Sequence, residues 1–256
     1  MSVRTLQKWQ GAGNDFLVDV QSPGENPAWS SDLARALCAR ATGVGADGLL
    51  VAVLGEPVTM TLYNADGSLA EMSGNGARCL AAALRRATHS RDSEFALQTV
   101  AGLKTVRLDM QSEASGFGSV DMGEVIFGDD IEGAWGVATV GNPHAVVMDD
   151  ESWSDLAREE LAAKLAAQLG GANVEFVTVL GPDHLSIRVI ERGVGWTLAC
   201  GTGSCAVAAL ARRAGLSGDL VTIENPGGPL RVELDGQSAT LSGPVQFIAD
   251  VEWLEV

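Results

Sequence analysis

The sequence predicts an α/β (α+β) chain built as two similar domains, and three observations predict it. The stretch EMSGNGARCLAAALRRA, from Glu71, is written again as LACGTGSCAVAALARRA, from Leu198. Gly74, Gly76, Ala81, Ala82, Arg85, Arg86 and Ala87 recur at Gly201, Gly203, Ala208, Ala209, Arg212, Arg213 and Ala214, a constant offset (201 − 74 = 127). Each copy follows the same order of strand, turn, strand, helix and strands, and more strands come after it. A repeat this long means two domains, because solenoid units run only ~20–50 residues.

Each element has its own reason. QKWQGAGNDFLVDV, from Gln7, reads as strand, glycine-rich turn and strand. SSDLARALCARATG, from Ser30, reads as a helix with Ser31 as its expected cap and Leu33, Leu37 and Cys38 as an apolar stripe. GLLVAVL and VTMTLYN are strand-like, and a helix is expected from about Gly74, with Leu80 and Leu84 on one face. FALQTVAG, LKTVRLDM and GSVDMG read as a meander. The order then restarts: WGVATVGNPHAVVMDD is strand, turn and strand, SDLAREELAAKLAAQLG is a helix, and VEFVTVLG and LSIRVIERG are strands. A helix begins near Gly201, and strands run from Val221 to the end. The boundary is expected within MGEVIFGDDIEG, giving 1–127 (completed by a C-terminal strand, 243–256) and 128–242.

Composition narrows the function. The chain has 256 residues, 46% of them hydrophobic, which suits cores for one large or two modest domains. Its net charge of −16 argues against nucleic acid, whose phosphates call for a basic face, and against docking on an anionic membrane. The longest apolar runs, such as LLVAVL, fall far short of the ~20 residues of a membrane-spanning helix. MSVRTLQKWQGAGNDF has no apolar signal-peptide core, so a cytoplasmic location is expected. Cys38, Cys79, Cys200 and Cys205 lack CxxC spacing; a reducing compartment fits them better than a disulfide framework, and no metal site is expected.

Among glycine motifs, GVGADG (Gly43 to Gly48) fits G-x-G-x-x-G, but a helix precedes it and an apolar strand follows, the reverse of a dinucleotide fingerprint. It reads as a turn. SGNG and CGTGSC differ: each puts a small nucleophile, Ser73 or Cys200, at a helix start. There the unpaired N–H groups and positive dipole favour an anion such as a carboxylate, and they lower a cysteine's pKa. Taken singly, Ser73 reads as an ordinary N-cap. Two matching copies point further. If the domains face each other, a substrate carbon has Ser73 on one side and Cys200 on the other, with its carboxylate among the backbone donors. One group then removes a proton and the other returns one, while the carbanion's charge spreads onto the carboxylate. Lys8, Lys104 and Lys164 are the only lysines and none lies in such a motif, so a Schiff-base cofactor is not suggested.

GAGNDF, GVGADG, YNADGS, SGNGARC, GNPH, ERGVG, ACGTGSC, PGG and SGP occur in that order over nearly the whole chain. In this the sequence resembles the diaminopimelate epimerases, cofactor-independent isomerases of lysine and peptidoglycan biosynthesis. The resemblance implies two pseudo-symmetric domains, each a curved sheet wrapped around a central helix, with the active site in the cleft between them. It implies a homodimer, a small amino-acid substrate and no cofactor. Cys200 matches one catalytic cysteine, and Ser73 stands at the position of the other. Gly74, Asn75, Gly201 and Thr202 match the donors to the reacting carboxylate. Asn14, Asn64, Asn142, Asn173, Glu191 and Arg192 match residues lining the pocket, where Arg192 and the asparagines suit the far carboxylate and Glu191 an ammonium. His144 matches a supporting residue near the cysteine.

Three departures from the family pattern stand out. Ser73 replaces a cysteine, which implies impaired epimerisation; Gly48 sits where some members have a substrate-facing glutamine; and Trp196 stands where glutamate is usual. Cys79 and Cys205 read as buried small hydrophobes. The alternatives are a related amino-acid racemase or dehydratase using a Ser/Cys pair, and an inactive homologue that binds an amino acid.

Overall fold

A computed structural model of the chain describes residues 3–24 and 29–254. They form two compact units: residues up to Val120 together with those from Gly243 onward, and Asp121–Ser242. The boundary expected after residue 127 moves earlier. Val125 N–H donates to Gln237 O at 2.8 Å, and β9 (Ile126–Phe127) pairs with β10 (Gly136–Val140), so this segment is tied into the second unit.

In the first unit, β1 (Val3–Gly11) and β2 (Asn14–Gln21) form a hairpin with register Gly11↔Asn14. Its two loop residues, Ala12 and Gly13, have φ of 52° and 80°, the primed turn that matches strand twist. Then come α1 (Ser31–Cys38), β3 (Gly48–Val53), β4 (Val58–Asn64), the short β5 (Leu69–Ala70) and α2 (Gly74–Ala87). β6 (Glu94–Thr99), β7 (Gly102–Met110) and β8 (Ser115–Glu124) follow as the expected meander. β2–β3 and β4–β6 pair parallel; β3–β4, β6–β7 and β7–β8 pair antiparallel.

The second unit repeats this order. β10 and β11 (Asn142–Met148) lead to α3 (Asp155–Gln168), β12 (Asn173–Gly181), β13 (His184–Glu191), β14 (Gly195–Thr197) and α4 (Gly201–Arg213). β15 (Leu220–Asn225), β16 (Gly228–Asp235) and β17 (Ser238–Leu254) close it. The parallel pairs recur as β11–β12 and β13–β15. β17 pairs with β16 through Ser238–Ser242, and its later residues pair with β1 in the first unit.

In each unit the sheet has two covered faces. Leu17, Leu49 and Val51 pack with Leu37 and Cys38 of α1, and Ala145, Val147, Val174 and Phe176 pack with Ala162 and Leu165 of α3. Side chains alternate along a strand, so the intervening residues face the other helix, α2 or α4. These central helices are almost wholly buried, Gly74–Leu84 in one and ten of thirteen residues in the other. Their alanines let strands approach closely, and paired arginines end both, where cations suit the dipole. The cap of α1 is Ser30, not Ser31: its Oγ accepts from Leu33 N–H at 3.2 Å, the third residue on, as an N-cap does.

Candidate active site

In the second unit, β11, β12 and β13 present His144, Asn173, Glu175 and Glu191 on the face toward α4. Cys200 caps that helix, and its Sγ accepts Gly203 N–H at 3.3 Å. The sulfur also meets Thr202 Oγ1 at 3.4 Å and Asn173 Nδ2 at 3.7 Å. Cys200 N–H donates to Asn225 Oδ1 at 3.3 Å, and Ser204 Oγ donates to Cys200 O at 2.8 Å. Asn173 Oδ1 accepts Arg192 N–H at 2.9 Å, which turns its amide nitrogen toward the sulfur. The Arg192 side chain is exposed and lies against Gly171.

Beneath the helix start sits a pair of charged-type residues with no exposed surface. His144 Nδ1 is 2.7 Å from Glu175 Oε1, and its Nε2 is 3.2 Å from Asn142 Oδ1. An oxygen atom faces each ring nitrogen, so the ring is held at both ends. A Cβ added to Gly203 would lie 2.3 Å from Glu175 Oε1, so glycine here admits the carboxylate under the first turn of α4.

The proton affinity of Cys200 runs opposite to the sequence expectation. Burial pushes the thiol well above the usual cysteine value, and Glu191 and Glu175 push the same way; the Thr202 hydroxyl and Gly203 N–H oppose them and are outweighed. Desolvation and two nearby carboxylates outweigh the two hydrogen bonds that favour the thiolate. Glu191 is raised too, first by burial and then by Glu175, against Thr197, His144 and Cys200, which lower it. Thr197 Oγ1 donates to Glu191 Oε1 at 2.6 Å.

The donor atoms of His144, Glu175 and Cys200 lie within 4.8 Å of one another, a set with metal-ligand chemistry. Nδ1 and Oε1 are nevertheless 2.7 Å apart, closer than the ~3.3 Å edge between two ligands each ~2.0 Å from a tetrahedral zinc. The spacing is that of a hydrogen bond.

In the first unit, Ser73 caps α2 and its Oγ accepts Gly76 N–H at 3.0 Å. Gly74 and Asn75, like Gly201 and Thr202 in α4, bring backbone N–H groups to a helix start, where no preceding carbonyl is available. The nearby amides form a chain: Arg78 Nη2 donates to Asn75 Oδ1 at 2.7 Å, Asn75 Nδ2 reaches Asn14 Oδ1 at 3.4 Å, and Asn14 Nδ2 donates to Asp47 Oδ2 at 2.8 Å. Asp47 is held by Arg40, which also bonds Asp15. Asn64 ends β4 and donates to Ser68 Oγ at 3.0 Å.

Each unit therefore gathers its own share of the sequence-predicted residues. Sequence reading missed Glu175, Asp47, Arg78 and Asn225. Glu175 had a signal, an acid amid the apolar run VEFVTV and two residues after Asn173 on the same strand face. The other departures have structural readings. A side chain at Gly48 would put its Cβ 2.8 Å from Tyr63 O, so the backbone leaves no room for one. Trp196 points to the α3 side, tilted against Phe176, under Arg188 and donating to Glu159 Oε1 at 2.7 Å. Cys79 and Cys205 are fully buried, and burial takes the Cys79 thiol to about 12.

Known proteins resemble this chain over most of its length. Proteins named diaminopimelate epimerase from a Synechococcus strain (JA-2-3B'a(2-13)) and from Synechocystis (PCC 6803) are 38% and 35% identical, each match covering 95% of this chain and 96% of the relative. Among solved structures, a phenazine biosynthesis protein from Bacillus anthracis has a TM-score of 0.76 at 14% identity, covering 100% of both chains. A hydroxyproline epimerase from Agrobacterium vitis has a TM-score of 0.71 at 17% identity, covering 99% of this chain and 91% of the other. At such identities these structures speak to the fold alone. The sequence model of the family described as diaminopimelate epimerase matches residues 6–128 and 136–248, one segment for each repeat, and the chain belongs to that family.

Proposed function

We propose that this chain interconverts L,L- and meso-diaminopimelate by moving a proton at the α-carbon, in the cytoplasm, as a homodimer and without pyridoxal phosphate. Cys200 serves one face of the carbon and Ser73 the other. The N–H groups of Gly74, Asn75, Gly201 and Thr202 hold the reacting carboxylate and take up the charge that spreads onto it. Glu191 receives the α-ammonium. Arg192, with Asn14, Asn64, Asn142 and Asn173, fixes the distal end, where a guanidinium suits a second carboxylate. His144 supports Cys200. A raised thiol pKa makes Cys200 a proton donor at rest and a strong base once ionised.

The observation that carries this reading is the family match across both repeats, each of which has a nucleophile capping its central helix. A racemase or dehydratase of another amino acid, or an inactive binder, is not favoured, because the full-length relatives are named diaminopimelate epimerases. The test is incubation with each isomer in deuterated water. Label at the α-carbon with slow inversion is expected; label on proline and none on either diaminopimelate isomer would reject the assignment.

A further inference from the structure

We propose that Glu175 is a positioning residue for proton transfer at Cys200, its buried carboxylate holding the His144 ring by Nδ1 beside the thiol. The inference rests on the epimerase reading and deepens it.

The molecule contains its own control. Phe16 and His144 are each the third residue of the second hairpin strand, and Leu50 and Glu175 are each the third residue of the strand that pairs parallel to it. The registers agree, Phe16↔Gly48 with Val18↔Leu50, and His144↔Asn173 with Val146↔Glu175. The helix contact agrees as well. A Cβ on Gly76 would meet Leu50 Cδ2 at 3.4 Å, and one on the matching Gly203 would meet Glu175 Oε1. Phe16 and Leu50, both buried, thus fill in one unit the places that His144 and Glu175 fill in the other. The fold is built with an apolar pair there, and a buried ion pair is commonly no more stabilising than a well-packed hydrophobic one. Glu175 even carries an unmet cost: among the described residues its Oε2 is buried without a hydrogen-bond partner. Packing does not require this pair, but its neighbour supplies a reason for it.

That neighbour is Cys200, which cycles between thiol and thiolate as it gives a proton to the substrate carbon or takes one. The titratable groups facing it are His144 from β11, Glu175 from β12 and Glu191 from β13; α4 adds none in its first turn. A ring held at Nδ1 by Glu175 keeps one orientation beside the sulfur while itself exchanging no proton with the substrate, so the proton count at the carbon is unchanged. Ser73 has Leu50 where Cys200 has Glu175.

The experiment compares the parent protein with Glu175→Gln and with the double variant His144→Phe/Glu175→Leu, which copies the first unit. Ring nitrogens are followed by NMR after 15N-histidine labelling; the chain has three histidines, and the double variant identifies the His144 signal. In Glu175→Gln the His144 ring-nitrogen signals are expected to shift, and α-deuterium uptake to fall by about tenfold or more, with KM within about threefold. In the double variant uptake is expected to fall by about a hundredfold while Tm stays within about 4 °C of the parent. An unchanged ring spectrum or unchanged uptake in Glu175→Gln overturns the proposal, and so does a double variant that loses Tm together with activity, which makes the pair structural. If the parent exchanges neither isomer, the epimerase reading falls, and the ring spectra still decide whether Glu175 holds His144.

Discussion

Ser73 and Cys200 cap their helices with nearly the same backbone, φ −140° and ψ 120° at one, φ −121° and ψ 113° at the other. Each side-chain atom accepts the N–H three residues on, from Gly76 or Gly203. What lies beneath differs. Under α4 are a carboxylate, an imidazole and a second acid; in the first unit Leu50 and Phe16 take the matching places, and the charged groups are Arg78, bonded to Asn75, and the Arg40–Asp47 pair. The matching asparagines are pinned differently too. Asn14 gives its amide nitrogen to Asp47, whereas Asn142 offers its oxygen to His144. A duplicated backbone can therefore keep the same capped helix start in both copies while the side chains beneath it differ in chemistry.

The largest expected effect breaks the comparison at its active end. Cys200→Ala should lower α-deuterium uptake from the isomer whose α-hydrogen faces Cys200 by about a thousandfold or more, the scale for losing a nucleophile or base. Uptake retained in that variant would move the chemistry elsewhere.

Restoring symmetry is the next test. A serine hydroxyl is a far weaker acid than a thiol and normally needs an adjacent base, and its own sheet offers Ser73 Leu50. Ser73→Cys should raise net epimerisation by about a hundredfold or more, about 2.7 kcal/mol of barrier. Both directions must slow or quicken together, but half-exchange need not: the isomer whose α-hydrogen faces Cys200 should exchange without inverting in the serine form. Uptake and optical rotation, followed in parallel for each isomer, separate these outcomes. Equal and rapid inversion by both forms would mean that Ser73 is already activated.

Arg192→Ala tests the distal end and should lower kcat/KM by at least about tenfold, ~1.4 kcal/mol. A variant as active as its parent would remove Arg192 from the pocket.

Smaller effects sharpen the comparison through stability. Gly203→Ala drives a methyl against Glu175 at 2.3 Å, whereas Gly76→Ala meets its nearest neighbour, Ser73 Cβ, at 3.2 Å. Chemical denaturation should show Gly203→Ala less stable by about 1–3 kcal/mol, the usual scale of overpacking, and Gly76→Ala the milder of the two. Similar losses would mean that Glu175 yields easily. The acid groups of the two units should also titrate with opposite sign. Burial raises Asp15, but hydrogen bonds from Arg40 and Lys8 outweigh it and hold the carboxyl below 3.8, so its contribution is present above that pH and lost as pH falls through the folded pKa. Glu191 is raised above 4.5, so it weakens the folded state as pH rises past that value. Asp15→Asn should lower Tm more at pH 7 than at pH 3, and Glu191→Gln should lose its relative Tm gain on the same descent; matching signs would contradict these assignments.

Much of this protein is determined by local sequence. The Gly-Asn turns, the alternating strands, the alanine-rich helices and the 127-residue offset depend on neighbours a few positions apart or on plain repetition, so they are legible without a structure. Cys200 and Ser73 are found the same way, as motifs, and the asparagines through the family resemblance. Small errors arose where two local solutions compete, as with Ser30 and Ser31 for the cap of α1. Tertiary structure alone decided what surrounds each motif. Glu175 lies 31 residues from His144 and 25 from Cys200, yet parallel pairing of β11 with β12 puts it under the start of α4. The thiol's proton affinity follows from that assembly. A helix start favours a thiolate through local backbone groups, but burial and the charges of Glu191 and Glu175 come from strands brought in by folding, and these raise the thiol.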